Sequence, residues 1–246
     1  MKETVTGMVL SAMPVGEYDL RLLLLTKERG KITAFASGAK RTNSPYRAGS
    51  RPFSFGSFEV LAGRNAYKLV GMNISNYFEG LLKEIEDTYL AFYCLEIADY
   101  YGREGIDGSE SLNLLYATFR ALERNQISKK LIKSIYELKS LAINGEQAAV
   151  GSCYSCGEEE GAFAMDLPAR VIYCSHCAPR VSRPMIPLSK TVLYALRYVT
   201  YMPIGKLYHF QLKEEEEKNF NDLANRLFIG VVHKDFKSLG MLESLL

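Results

Sequence analysis

The chain lacks the short motifs by which many enzyme classes announce themselves. There is no G-x-x-x-x-G-K-[ST] loop and no G-x-G-x-x-G turn, so neither of the common nucleotide-phosphate cradles is present. No G-x-S-x-G elbow offers a serine nucleophile. None of His176, His209 and His233 is followed two residues later by Glu, which removes the H-x-E segment of a zinc deaminase. The longest apolar runs, such as Leu22–Leu25, fall far short of the roughly 20 residues that a bilayer requires. The opening "MKETVTGMVLSAMP" is followed at once by Glu17, Asp19 and Arg21, and reads as a strand rather than a secretory signal. No internal repeat is visible. These absences place the chain in the cytoplasm, away from membranes and without support for an enzyme. In that compartment paired C-x-x-C motifs bind metal more often than they form disulfides.

What is there is enough for a folded, multidomain protein. The 246 residues are 48% hydrophobic, which supports a buried core. Net charge is +2, but it is unevenly spread. Residues 1–78 hold 11 Lys/Arg against 5 Asp/Glu, residues 79–150 hold 8 against 12, and residues 151–246 hold 11 of each. The basic excess of the first third suggests a polyanionic partner there, although a solvated surface has the same composition.

Residues 1–78 read as five strands. "TVTGMVLSAM" is β-branched and apolar, and "DLRLLLLTKERGKITAFASGA" is a hairpin turning at Glu28–Lys31. "FSFGSFEVLAG" alternates its aromatics, and "AYKLVGMNIS" follows a Gly-Arg-Asn turn. Five short strands fit a small barrel. An oligonucleotide-binding (OB) barrel and an SH3-like barrel are equally compatible with that count.

Residues 79–246 read as a helical domain interrupted by a module at 151–180. Tyr89, Tyr93, Ile97 and Tyr101 fall four apart and predict one apolar helical face. A second helix carries Leu112, Leu115, Phe119 and Leu122; a third starts behind Ser128 and stops at Gly145. "PLSKTVLYALRYVTYMP" predicts another helix, and "EKNFNDLANRLFIGVVHKDFKSL" a single last one, with Glu214–Glu217 at its start. Cys94 reads as a small core residue on the first helix.

Two stretches carry candidate chemistry. Cys153, Cys156, Cys174 and Cys177 form two C-x-x-C pairs seventeen residues apart, within the window for a four-thiolate zinc site. Four thiolates close the coordination sphere, so the metal is structural rather than catalytic. The spacer holds "AFAM" and "VIY", able to pair as a hairpin, and His176 reads as a surface residue of the knuckle. The second stretch, residues 36–55, sets Lys40, Arg41, Arg47 and Arg51 among Gly, Ser, Asn and Pro, with Tyr46 and Phe53 interleaved. Such cations neutralise phosphates, and aromatic rings stack bases. A flexible loop with both rings folded onto the barrel is the plain alternative, and Phe53 reads as core.

In this order, these segments resemble the bacterial RecO family of DNA repair and recombination mediators. The resemblance is carried by "GMVLSAMPVGEYDLRLLLLTKERGKITAFASGAKR", "RPFSFGSFEVLAGRNAYKL", the four-cysteine insertion and "HKDFKSLGML". It implies an α+β multidomain chain: a five-stranded OB-fold at 1–78, then a helical domain bearing a four-cysteine zinc module. It further implies binding of single- and double-stranded DNA, strand annealing, and action with RecR. Engagement of the C-terminal tail of single-stranded-DNA-binding protein and help in loading RecA are also implied. The implied DNA contacts are Lys40 and Arg41, followed by Arg47, Arg51, Arg21 and Lys31. Arg120, Arg124, Lys129 and Lys130 are candidate partners for the tail's carboxylate. A protein–protein adaptor and an RNA-binding translation factor are the rival readings.

Overall fold

The computed structural model describes residues 2–244. By compactness the chain divides into two units, one of Met1–Glu123 with Phe236–Leu246 and one of Arg124–Asp235.

The first unit is built on five strands: β1 (Lys2–Val15), β2 (Asp19–Thr26), β3 (Gly30–Ala36), β4 (Phe55–Ala62) and β5 (Tyr67–Asn76). They close into a barrel in the order β1-β2-β3-β5-β4, which is OB-like and resolves the ambiguity left by strand count. The long β1 makes closure possible. Its first half pairs with β4, its second half with β2, and a register shift between Val9 and Ser11 marks the irregularity between them. The last seam is a short parallel pairing of β3 with β5. Alternation decides the core, since side chains two apart share a face. Leu22 and Leu24, Ile32 and Ala34, and Phe58 and Val60 point inward and are essentially inaccessible. Removing one of the larger ones, as in Phe58→Ala, leaves a cavity and costs about 3–5 kcal/mol. The β2–β3 turn needs its glycine. Gly30 has φ +63°, and a Cβ there would lie 2.1 Å from the Arg103 carbonyl oxygen.

Three helices belong to this unit: α1 (Ile85–Tyr101), α2 (Ser109–Arg124) and the short α6 (Lys237–Glu243). The predicted single apolar face of α1 is corrected by its burial. Tyr93, Cys94, Leu95, Ile97 and Ala98 are all buried, so the helix is enclosed around its circumference rather than along one stripe. Its neighbours explain this. Phe92 meets the ring of Phe53 at 4.8 Å, and Phe236 at the start of α6 meets Tyr93 at 5.4 Å. The predicted single last helix is also corrected. It breaks after Ile229, and α6 forms separately, with the Ser238 N–H donating to Glu96 of α1.

The second unit holds α3 (Lys129–Ile143), a three-stranded sheet, α4 (Lys190–Tyr201) and α5 (Glu214–Ile229). Ser128 caps α3 by accepting from the Leu131 N–H, and Glu214–Glu217 fill the first turn of α5, where the helix dipole favours them. The buried Lys139 of α3 donates to the carbonyls of Thr200 and Met202, satisfying the C-terminal end of α4. The sheet runs in the order β7 (Val171–Cys174), β6 (Phe163–Asp166), β8 (Ile186–Leu188). The β6–β7 hairpin is the expected one; β8 is an addition, too short and too interrupted by Pro187 to be legible.

Among the described residues, no helix is long and apolar enough to cross a membrane.

Candidate functional site

The hairpin brings the four cysteines together. Cys174 ends β7 and Cys177 follows in a turn closed by its own N–H to the Cys174 carbonyl. Cys153 and Cys156 sit in a preceding turn held by Gly157, whose φ of +78° lets its N–H reach the Cys153 carbonyl. Tyr154 then ties this turn to β7 through the Ile172 carbonyl. All four sulfurs lie within 4.8 Å of one another, and Cys156 Sγ is 3.6 Å from Cys174 Sγ. Metal–sulfur bonds of about 2.3 Å in a tetrahedron set sulfur–sulfur distances of about 3.8 Å, so this donor set fits a zinc-sized ion. His176 is exposed and outside the cluster.

The thiols themselves behave as a donor set. Burial pushes the Cys153 thiol up, but the N–H groups of Cys174, Cys156 and Ser155 outweigh it and bring its pKa down to about 6. Cys156 is the opposite case. The Glu158 N–H favours its thiolate, yet the neighbouring thiols of Cys153, Cys174 and Cys177 push it up to about 12. One thiolate is stabilised and its neighbour is held protonated. A cation placed between them would favour both thiolates at once.

A residue that sequence reasoning missed braces this site. Arg197 of α4 donates from Nε to the Val150 carbonyl at 2.7 Å and from Nη2 to those of Gly151 and Glu159, at 2.9 and 3.1 Å. Its guanidinium also lies 5.4 Å from the Phe163 ring centroid. The three carbonyls flank the first Cys pair, so one side chain fixes both ends of that turn. Nothing in "LRYVTY" distinguishes this arginine from a surface one.

The basic loop, residues 37–54, is a run of turns rather than a flexible strap. Ser44, Arg47, Arg51 and Ser54 each donate a backbone N–H to the carbonyl three residues earlier. Its start is pinned to β2: Asp19 accepts from the Gly38 N–H at 2.7 Å, and the Lys40 N–H donates to the Tyr18 carbonyl. The Arg41 guanidinium lies over the Tyr18 ring at 4.9 Å. Tyr46 is folded onto the barrel, its hydroxyl donating to the Val70 carbonyl at 3.0 Å. Phe53 is buried against Phe92 and Phe119. The Phe53 ring is therefore closed to a base, and the Tyr46 ring is half-buried against the barrel.

The charges sort into two groups. Lys40, Arg41, Arg47, Arg51 and Arg21 are exposed, and none forms an ion pair among the described residues. Lys31, expected among them, has different surroundings. Its ammonium is held 2.7 Å from Asp99 Oδ1 and 2.6 Å from the Asp99 carbonyl. Its charge is neutralised in place, and it fastens β3 to α1. Of the expected carboxylate partners, Arg120 is paired with Glu123 at 2.7 Å in the first unit. Arg124, Lys129 and Lys130 fall in the second unit, at the end of α2 and the start of α3.

Comparison with known proteins adds a second kind of finding. Residues 1–78 match the family model described as "Recombination protein O N terminal", and residues 82–239 match "Recombination protein O C terminal". Similar curated proteins include the "DNA repair protein RecO" of Alkaliphilus metalliredigens (strain QYMF), 34% identical over 152 residues, or 62% of each chain. That of Bacillus subtilis (strain 168) is 27% identical over 244 residues, covering 97% of this chain and 94% of the relative. That of Acetivibrio thermocellus is 22% identical over 242 residues, covering 98% and 96%.

Proposed function

Because the chain belongs to the recombination protein O family, we propose that it is a DNA-binding mediator of recombinational repair that works by binding rather than by turnover. The single observation that carries this reading is the set of exposed cations without ion pairs on an OB-like barrel: Lys40 and Arg41 first, then Arg47 and Arg51 on the same ordered loop, and Arg21 on β2. Loops and strand faces are where such barrels hold oligonucleotides. A cationic surface grips the phosphates of single- or double-stranded DNA while leaving base edges free, which suits the annealing of complementary strands. Action with RecR, engagement of the tail of single-stranded-DNA-binding protein and help in loading RecA are proposed with it, on the strength of family membership.

The four cysteines are assigned one structural zinc ion. Bound there, the ion would neutralise the thiolates and anchor the two turns, and four sulfur ligands would leave it no substrate position. The chain's own contribution is the pair of turns, the N–H groups aimed at Cys153, and the Arg197 brace.

The test is the affinity of the full chain for single-stranded DNA, duplex DNA and RNA over a range of salt. The Lys40→Ala, Arg41→Ala double variant is expected to bind DNA about tenfold more weakly. Its log K against log salt slope should flatten by about 1.5, the contribution of two phosphate contacts. An unchanged slope would overturn the assignment. Failure of the unaltered protein to bind any nucleic acid would favour an adaptor, and a strong preference for RNA would favour a translation factor.

A further inference from the structure

Register determines which side chains share a face of a sheet. Met13 of β1 stands opposite Arg21 of β2, Arg21 opposite Phe35 of β3, and Phe35 opposite Lys68 of β5. The sequence neighbours Leu22, Ala34, Ala36 and Leu69 are buried inward, so the four members of this row point outward. All four are exposed, Phe35 at 37% and Met13 at 51%. Arg21 and Met13 touch, with Arg21 Nη2 3.1 Å from Met13 Sδ. Strands lie about 4.8 Å apart, so an open phenyl ring sits one strand away from a cation on either side. Among the described residues neither Arg21 nor Lys68 forms an ion pair.

Further along this outer face α1 lies alongside the strands. A cavity of about 300 Å³ separates Ser11 and Leu23 from Phe92 and Leu95 of α1, and Asp99 of the same helix holds Lys31. The row therefore lies at the uncovered end of the β1–β3 face. It is also the end of β2 to which Tyr18 and Asp19 anchor the basic loop.

A lone exposed phenylalanine identifies no ligand. One flanked by two unpaired cations does. The ring offers a π-face to a flat apolar group, and the cations offer partners for anions spaced along the same ligand. In duplex DNA the bases are stacked inside and cannot reach the ring, whereas an unpaired strand presents both groups. We propose that Arg21, Phe35 and Lys68 form a base-stacking element that gives the barrel a preference for unpaired DNA strands. This rests on the DNA-binding reading above and adds to it a strand-state preference and a residue, Lys68, that no sequence motif marks.

The experiment compares the full-length protein with Phe35→Ala, Phe35→Trp and Lys68→Ala, using a single-stranded oligonucleotide and its duplex over a range of salt. Phe35→Ala should weaken single-strand binding about tenfold, leave the salt slope unchanged and change duplex affinity less than twofold. Phe35→Trp should retain single-strand binding, which separates stacking from damage to the fold. Lys68→Ala should flatten the single-strand slope by about 0.7. If the unaltered protein binds DNA and Phe35→Ala binds single strands as well as it does, the stacking element is refuted while the DNA-binding reading stands. Equal losses on single strand and duplex would refute it too. If the unaltered protein binds no DNA, both readings fall.

Discussion

In the Cys module the reactive atoms face one another, whereas in the loop after β3 they face away from the protein. Four sulfurs converge within 4.8 Å, backbone N–H groups are aimed at one of them, and Arg197 ties the flanking carbonyls. In the basic loop the backbone is satisfied by its own turns, Tyr46 and Phe53 are folded inward, and the cations form no ion pair among the described residues. The first arrangement is complete within the chain once a cation is added. The second is left open to an external polyanion, as the proposed function requires. The proposed DNA binding is therefore placed on the charge left without a carboxylate on an otherwise well-ordered segment, and not on the more conspicuous cluster.

The largest effect that would sharpen this contrast is loss of a sulfur. Cys174→Ser removes a buried ligand whose N–H also donates to Cys153 Sγ. It should abolish stoichiometric metal and destabilise the second unit by at least about 3 kcal/mol. DNA affinity, measured well below the unfolding transition, should stay within twofold. Metal analysis, thermal unfolding and a binding titration on one preparation decide it, and a fall in DNA affinity with the fold intact would break the contrast. Arg197→Ala comes next. It leaves three carbonyls without their donor and should cost about 2 kcal/mol, with metal lost to a competing chelator at about tenfold lower concentration.

Much of this was legible in the sequence because local chemistry decided it. The alternation that includes Phe58 and Val60 marks a barrel wall; Ser128 marks the start of a helix; and the spacing of Cys153, Cys156, Cys174 and Cys177 marks one donor set. What was hidden depends on contacts between distant segments. The face pattern of α1 is blurred because Phe53 and Phe236 cover it from different sides, and neither is near it in sequence. Lys68 joins Phe35 only through the parallel seam that closes the barrel. Lys31 looks like any basic strand residue until Asp99, 68 positions away, is brought beside it.

That pair gives the smallest and most discriminating prediction, because it sets two cations of the same barrel against each other. Lys31 and Lys40 are nine positions apart in sequence, and both lie in the basic third of the chain. Their surroundings differ. The Lys31 ammonium already has the Asp99 carboxylate and carbonyl at hydrogen-bond distance, while Lys40 is exposed on a turn and pairs with no carboxylate among the described residues. A phosphate approaching Lys31 would have to displace Asp99 and would gain little counterion release, since the charge is already neutralised. Lys31→Met keeps the aliphatic stem and removes the charge. It should lower stability by about 1 kcal/mol, a modest figure because Asp99 is partly exposed and screened. The salt slope of DNA binding should not move. Lys40→Ala should do the reverse, flattening the slope by nearly one unit with stability unchanged to within about 0.5 kcal/mol. A flattened slope for Lys31→Met would mean that Asp99 yields to DNA, and that position in the barrel, rather than unsatisfied charge, governs binding.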